Sequence, residues 1–213
     1  MLIQNQVGPL AGSVSMSQGS QPAQRAGQLG DLIISNLHGR YYETNYRKSL
    51  FHAANQSAVT TSAGVTVNYV GCSIANPVGS GVNAVITRVG FGLIIAQSTA
   101  AVTYGFCAGY NATTNVTAGG AITPQPGFVG SGATARCTAN ASPTFPTGTP
   151  VITHIFASGG DGAITVALMN PMTTFELDGS LILPPGGYGG IYTNISSGTL
   201  GFMGSISWVE IPL

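Results

Sequence analysis

Charge is what this sequence has least of. Of 213 residues, six are Lys or Arg and six are Asp or Glu, and the formal net charge is zero. An average soluble domain carries about a quarter of its residues as these four types. The surface is therefore polar without being ionic. Binding that neutralises many phosphates needs a clustered excess of Lys and Arg, so that class is excluded. Coiled coils and exposed helical arrays need abundant Glu and Lys at helical spacing, and they go too. A hydrophobic share of 44% supplies ample apolar surface to bury, which excludes disorder over the whole chain.

Long apolar runs are missing as well. The most apolar stretch, 82–97, is interrupted by Asn83, Thr87, Arg88, Gly90 and Gly92 and is too short and broken to cross a bilayer as a helix. The opening Met1-Leu2-Ile3-Gln4-Asn5-Gln6 has neither the basic start nor the apolar stretch of a secretory signal, which predicts synthesis and folding in a cytoplasm. Sequons at Asn55, Asn111, Asn115, Asn140 and Asn194 are expected by chance in a chain this rich in Asn, Ser and Thr.

Cys72, Cys107 and Cys137 are odd in number, lie 35 and 30 positions apart, and have no Cys-x-x-Cys or Cys/His zinc spacing. Buried free thiols are the favoured reading, and one disulfide plus one thiol is compatible with the spacing.

Groups for catalysis are scarce. Catalysis needs a poised acid, base, nucleophile or metal, and the sequence has no GxSxG, HExxH or Walker pattern. Asp161 and Asp178 each precede Gly, where Asp favours a turn. Glu176 and Asp178, two apart, would share a strand face as paired carboxylates do, but the Gly that follows favours a hairpin tip. His154 has no further His nearby for a metal site, and His38 and His52 have no carboxylate or thiol at motif spacing. The expectation is a protein that is not an enzyme and holds no cofactor or metal.

What is present is turn chemistry and β-branched residues, with 31 Gly and 12 Pro, which favours an all-β domain. Residues 1–30 interleave Gln with Gly, Ser and Pro and show no periodic apolar face; they read as an extended N-terminal arm. Residues 31–57 form a charged and aromatic contact segment. It contains Asp31, His38 and His52, and the candidate partner-binding residues Arg40, Tyr41, Tyr42, Glu43, Tyr46, Arg47 and Lys48. Tyr and Arg are enriched at the centres of interfaces. The cations with stacking tyrosines would also suit single-stranded nucleic acid, but the modest positive balance favours an interfacial ion-pair cluster with Glu43 and Asp31.

Residues 58–213 read as a β-sandwich body. Val65, Val67 and Tyr69 alternate with polar residues, as in a half-buried strand. Odd positions Val85, Val89, Phe91, Leu93 and Ile95 line one apolar face, with Gly90 and Gly92 on the other, the mark of a bulge or close backbone approach. Val102, Tyr104 and Phe106 repeat the period of two. Residues 108–148 are rich in Gly and Pro and predict a long functional or packed loop region. Hairpin signals lie at Ser158-Gly159-Gly160-Asp161-Gly162, ahead of Ala163 to Leu168, at Asp178-Gly179 and at Pro184-Pro185-Gly186-Gly187. Ile206 and Trp208 share a face of the last strand. Eight to ten short strands at this spacing imply a jelly roll or β-sandwich.

The combination of Gly39-Arg40-Tyr41-Tyr42-Glu43, Asn76-Pro77-Val78-Gly79-Ser80-Gly81-Val82-Asn83, Pro184-Pro185-Gly186-Gly187 and Ser207-Trp208-Val209-Glu210-Ile211-Pro212 resembles tailed-bacteriophage virion structural proteins, in particular capsid cement or decoration proteins. The resemblance implies a jelly-roll or β-sandwich body, a homotrimer on the capsid exterior, and a major capsid protein shell as the partner, with synthesis in the host cytoplasm. The arm would act as a tether. Two other readings stand beside it. The first is a receptor- or glycan-binding head of a phage fibre or spike, with Tyr110 and Phe128 as stacking residues in the 108–148 region. The second is a jelly-roll shell-forming capsid protein, although residues 1–30 carry only Arg25 and lack the basic arm of a genome-packing shell.

Overall fold

The computed structural model describes residues 39–61, 65–95, 101–146, 150–160, 173–194 and 197–213, with two short strands nearer the N-terminus. Those two, β1 (Asn5–Gln6) and β2 (Gln24–Arg25), pair in parallel. The rest of the expected arm lies outside the described residues, as do Asp31 and His38 of the contact segment, Asp161, Gly162 and Ala163 to Leu168.

From Tyr41 onward the chain is almost entirely β. One short helix, α1 (Tyr42–Tyr46), precedes β3 (Leu50–Ala54), β4 (Val59–Thr61), β5 (Ser73–Ala75), β6 (Val82–Ile95) and β7 (Ala101–Tyr110). Then come β8 (Ala121–Ile122), β9 (Gln125–Pro126), β10 (Thr138–Asn140), β11 (Val151–Gly160), β12 (Thr173–Leu183), β13 (Gly187–Thr193) and β14 (Ser197–Pro212). Strand β3 falls inside the 31–57 segment yet belongs to the sandwich, so the body begins ahead of residue 58.

Two antiparallel sheets result. One runs β12-β6-β14-β3-β9 with β4 also on β14, and the other β11-β7-β13-β5-β10-β8. Their eight principal strands pair as nested couples: β3 with β14, β5 with β13, β6 with β12, and β7 with β11. First meets last, second meets last but one, and so on inward, as though one long hairpin had been rolled up. The couples alternate between the two sheets, which is the jelly-roll order. The fold expected from the sequence is the fold observed.

The core lies between the sheets. Ile74, Ile86, Val89, Phe106, Ile191, Phe202, Ile206 and Trp208 are all buried, and Phe51 packs near Trp208 with ring centroids 6.2 Å apart. Even positions of β14 from Phe202 to Trp208 face this core, as the sequence predicts for Ile206 and Trp208. From the buried Tyr104 and Phe91 outward, Phe175, Phe156 and His154 stack in succession, with centroid spacings along the series of 4.3, 6.1, 4.4 and 6.0 Å. All three cysteines are free and buried, and burial pushes the Cys72 and Cys107 thiols up to about 12.

Four local expectations are corrected. Residues 65–69 form no strand beyond an isolated bridge from Asn68 to Thr144; the buried Tyr69 hydroxyl instead bonds the carbonyls of Cys72 and Ile191 at 3.0 and 2.7 Å. The apolar face of β6 does not keep to odd positions. Ala84 and Ile86 share the core side with Val89 and Phe91, because Ile86 and Arg88 pair with consecutive residues of β14 and Thr87 is the extra residue of a bulge. A one-residue bulge switches the inward parity. Asp178-Gly179 is not the tip of a hairpin between two strands: both flanks stay on β6, with Glu176 opposite Arg88 and Leu181 opposite Ile86. Positive φ angles of 51° and 83° at Asp178 and Gly179 let the chain loop out and rejoin the same neighbour. Ser158 to Gly160 lie within β11 rather than in a turn.

Candidate partner-binding surface

The register of the β12-β6-β14-β3 sheet rules its outer face into rows. Directly paired residues Leu50, Val209, Val85 and Ile182 form an apolar row. His52, Ser207, Arg88 and Glu176 form the next, a polar one, followed by Ala54, Ser205, Gly90 and Thr174, all small. Each row crosses four strands that are far apart in sequence.

The polar row is internally bonded. His52 Nδ1 and Ser207 Oγ are 2.8 Å apart, and the Arg88 guanidinium donates to Glu176. Partial burial, and then the nearby Arg88 guanidinium, lower the His52 pKa from 6.5. Both effects disfavour a second cation on the row.

The charged and aromatic segment docks at the end of this row. The Tyr41 hydroxyl lies 3.2 Å from Glu176 Oε2 and 3.3 Å from Asp178 Oδ1, so the Asp178-Gly179 excursion and the polar row meet at one phenol. The two carboxylates do face the same side, and their shared contact is this tyrosine. Arg40 sits exposed in the turn ahead of α1. On α1, residues four apart face one another. Tyr42 and Tyr46 stack with centroids 6.2 Å apart and planes 11° from parallel, while Glu43 and Arg47 form an ion pair at 2.7 Å. Beyond the helix, Lys48, with a φ of 59°, turns the chain back toward β3. Of the expected ion-pair cluster, the Arg47–Glu43 pair is present, and Asp31 is outside the described residues.

A second segment completes the surface. Strand β9 extends the sheet beyond β3, and the Gly127 N–H donates to the Leu50 carbonyl at 2.9 Å. A side chain at Gly127 would collide with the Asn45 amide of α1, so glycine permits the close approach. Lys48 Nζ lies 3.5 Å from the Ser131 carbonyl. The turn between these contacts, closed by Ser131 N–H on the Phe128 carbonyl at 3.1 Å, holds Phe128 and Val129. Tyr42, Tyr46, Phe128 and Val129 are 45%, 53%, 44% and 85% exposed. Exposed aromatic and apolar groups thus stand on α1 and on the turn packed beside it.

Sequence reading placed Phe128 with Tyr110. The structure sets Phe128 beside α1 and Tyr110 at the end of β7 in the other sheet. It missed Arg88, Ser207 and Val129 as neighbours of the contact segment, because register alone brings them there. Among the acids, Glu210 is buried and accepts hydrogen bonds from the backbone of Arg136 and Cys137 and from Trp208 Nε1. It tethers the segment just ahead of β10 to β14. His154 Nδ1 bonds the Thr153 hydroxyl at 3.1 Å. Among the described residues, no three His, Cys, Asp or Glu converge as a metal site, and no helix is long and apolar enough to cross a membrane.

No family model, curated protein or solved structure matches the chain.

Proposed function

We propose that the protein is a noncatalytic structural component of a phage virion, a capsid cement or decoration protein that assembles as a homotrimer on the exterior of a major capsid protein shell. The observation that carries this reading is the composite surface of α1 and the 128–131 turn. Four large apolar or aromatic side chains stand exposed on it, in the same segment as the Glu43–Arg47 ion pair and Lys48. Exposed aromatic groups with charged neighbours are the composition of an interface.

Two features support it further. Burying a surface with few charges costs little ion hydration, which suits extensive subunit contact. The jelly roll is an architecture recurrent among viral capsid and lectin domains.

The test is co-sedimentation of the purified protein with capsids of its phage that lack it. The unmodified chain pellets with the capsids, and Tyr42→Ala with Tyr46→Ala and Phe128→Ala reduces the bound fraction. Failure of the unmodified chain to bind any such shell contradicts the reading.

The glycan-binding head is the second reading. Exposed Tyr110 and Phe128 favour it as stacking groups, but their placement on elements of different sheets weakens it, since a sugar ring is gripped by groups that converge.

A further inference from the structure

The two ring nitrogens of the half-buried His52 meet different parts of the molecule. Nδ1 is 2.8 Å from Ser207 Oγ on β14. Nε2 lies under a cover: a Cβ placed on Gly127 would stand 3.1 Å from it and collide with Asn45 Oδ1. The imidazole, the 125–131 segment and α1 therefore meet at one spot, where the buried Asn45 Oδ1 accepts no hydrogen bond. Among the described residues, the elements packed around this ring give it no anion of its own. From β6 comes the Arg88 guanidinium, which donates to Glu176 of β12, and Glu176 and Asp178 share the Tyr41 hydroxyl. On α1, Glu43 is paired with Arg47, and Lys48 Nζ reaches the Ser131 carbonyl. Strand β14 contributes Ser207, and β9 sets Gln125 opposite His52; neither is ionic.

We infer that protonation of His52 releases α1 and the 125–131 segment from the sheet, so that the contact surface is assembled at neutral pH and loosened in acid. Linkage gives the sign. In the closed fold, burial and then Arg88 lower the imidazole's affinity for a proton. Lifting the cover admits water to Nε2 and returns the group toward its ordinary value of about 6.5. The closed form thus binds fewer protons than the released one, and acid favours release as the pH falls below about 6.5. Above that value both forms are neutral and pH has no effect. The cover is suited to such a motion: α1 buries no residue, so it lifts without opening the core, as the least stable units of a fold do. The release acts on the surface proposed above for capsid contact but does not depend on that role, and a chain that binds no capsid still shows it.

Amide hydrogen exchange of the full chain, followed residue by residue by NMR and corrected for the intrinsic rate at each pH, tests this. The Gly127 N–H, on the Leu50 carbonyl, reports the cover, and the Ile191 N–H, on the Cys72 carbonyl in the other sheet, reports global unfolding. Between about pH 7.5 and about pH 5 the protection of Gly127 falls, by about tenfold for each unit separating the closed and released pKa values. In low urea its exchange rate stays constant while that of Ile191 rises, which marks release without unfolding. His52→Gln removes the fall at Gly127. Arg88→Gln, which takes away the neighbouring cation, shrinks it, and stands in should the His52 variant fail to fold. The inference is overturned by protection at Gly127 that does not change with pH, or by a fall that both variants keep in full. It is equally overturned if Gly127 exchange rises with urea as steeply as that of Ile191, since acid then acts through global unfolding alone. Slower exchange in acid also overturns it, because Asn45 Oδ1 then accepts from the imidazolium and closes the cover.

Discussion

The Tyr41 hydroxyl donates to Glu176 at 3.2 Å across 135 positions of sequence. Through this phenol the segment ahead of β3 is fixed to β12 at the far side of the sheet, beyond β14 and β6. The hydrogen bonds to Glu176 and Asp178 are solvent-exposed, so their effect on global stability is small, while their effect on the placement of α1 is direct.

Tyr41→Phe should accordingly lower the stability of the fold by less than about 1 kcal/mol, read as the urea midpoint. If the proposed function holds, the same variant weakens capsid association more than that loss accounts for, because the Tyr41 contact that positions α1 is gone. Tyr42→Ala and Tyr46→Ala, on the exposed side, should leave the midpoint within about 0.5 kcal/mol of the parent. A large loss of stability in either would mean that these tyrosines are part of the core packing rather than of a contact surface.

Glu210 should behave in the opposite manner. Its carboxylate satisfies two backbone N–H groups and the Trp208 indole in a buried position. Glu210→Ala orphans all three donors and should cost about 3 kcal/mol or more, since each unsatisfied buried group costs roughly 1–3 kcal/mol. Chemical denaturation of the variant checks this, and a change under 1 kcal/mol would show that water replaces the carboxylate.

How much of this was legible in the sequence depends on the range of the interaction. Turns were readable because their chemistry is local: Pro184-Pro185-Gly186-Gly187 closes with Gly187 N–H on the Pro184 carbonyl at 2.7 Å. The faces of β14 were readable because strict alternation places Ile206 and Trp208 together, and the same parity, followed two residues further, puts Glu210 on the core side. The Thr87 bulge was not readable, since a bulge exists only relative to the opposing strand. Asp178-Gly179 carries the same positive-φ signal whether the two flanks pair with each other or both rejoin β6, so sequence could find the turn and not its topology. The seven contact residues form one local run, but Arg88, Ser207 and Phe128 reach them only through long-range register.

Stability should depend on pH through His52. Its pKa is lowered in the folded chain by burial and by Arg88, so below about pH 6.5 the unfolded chain binds more protons than the folded one, and stability rises with pH through that window. The contribution is fully present above about pH 6.5 and is lost as the pH falls toward the folded pKa. Urea midpoints at about pH 5 and about pH 7.5 should differ more for the parent than for His52→Gln. Equal differences would place the dependence elsewhere.

The thiols should be inert while the chain is folded. Burial raises all three, and only a thiolate reacts readily. At about pH 8 an aromatic disulfide reagent should titrate none of Cys72, Cys107 and Cys137 in the native protein and all three after unfolding. Fast labelling of the native chain would contradict their placement in the core.

The most direct test of the central claim is an electron-microscopy map of a virion purified from the source of this chain, with the jelly roll docked into it. The proposed function predicts copies distributed over the whole shell exterior, with α1 and the 128–131 turn against the major capsid protein. Density confined to a vertex or tail, or absent from the virion, would contradict it.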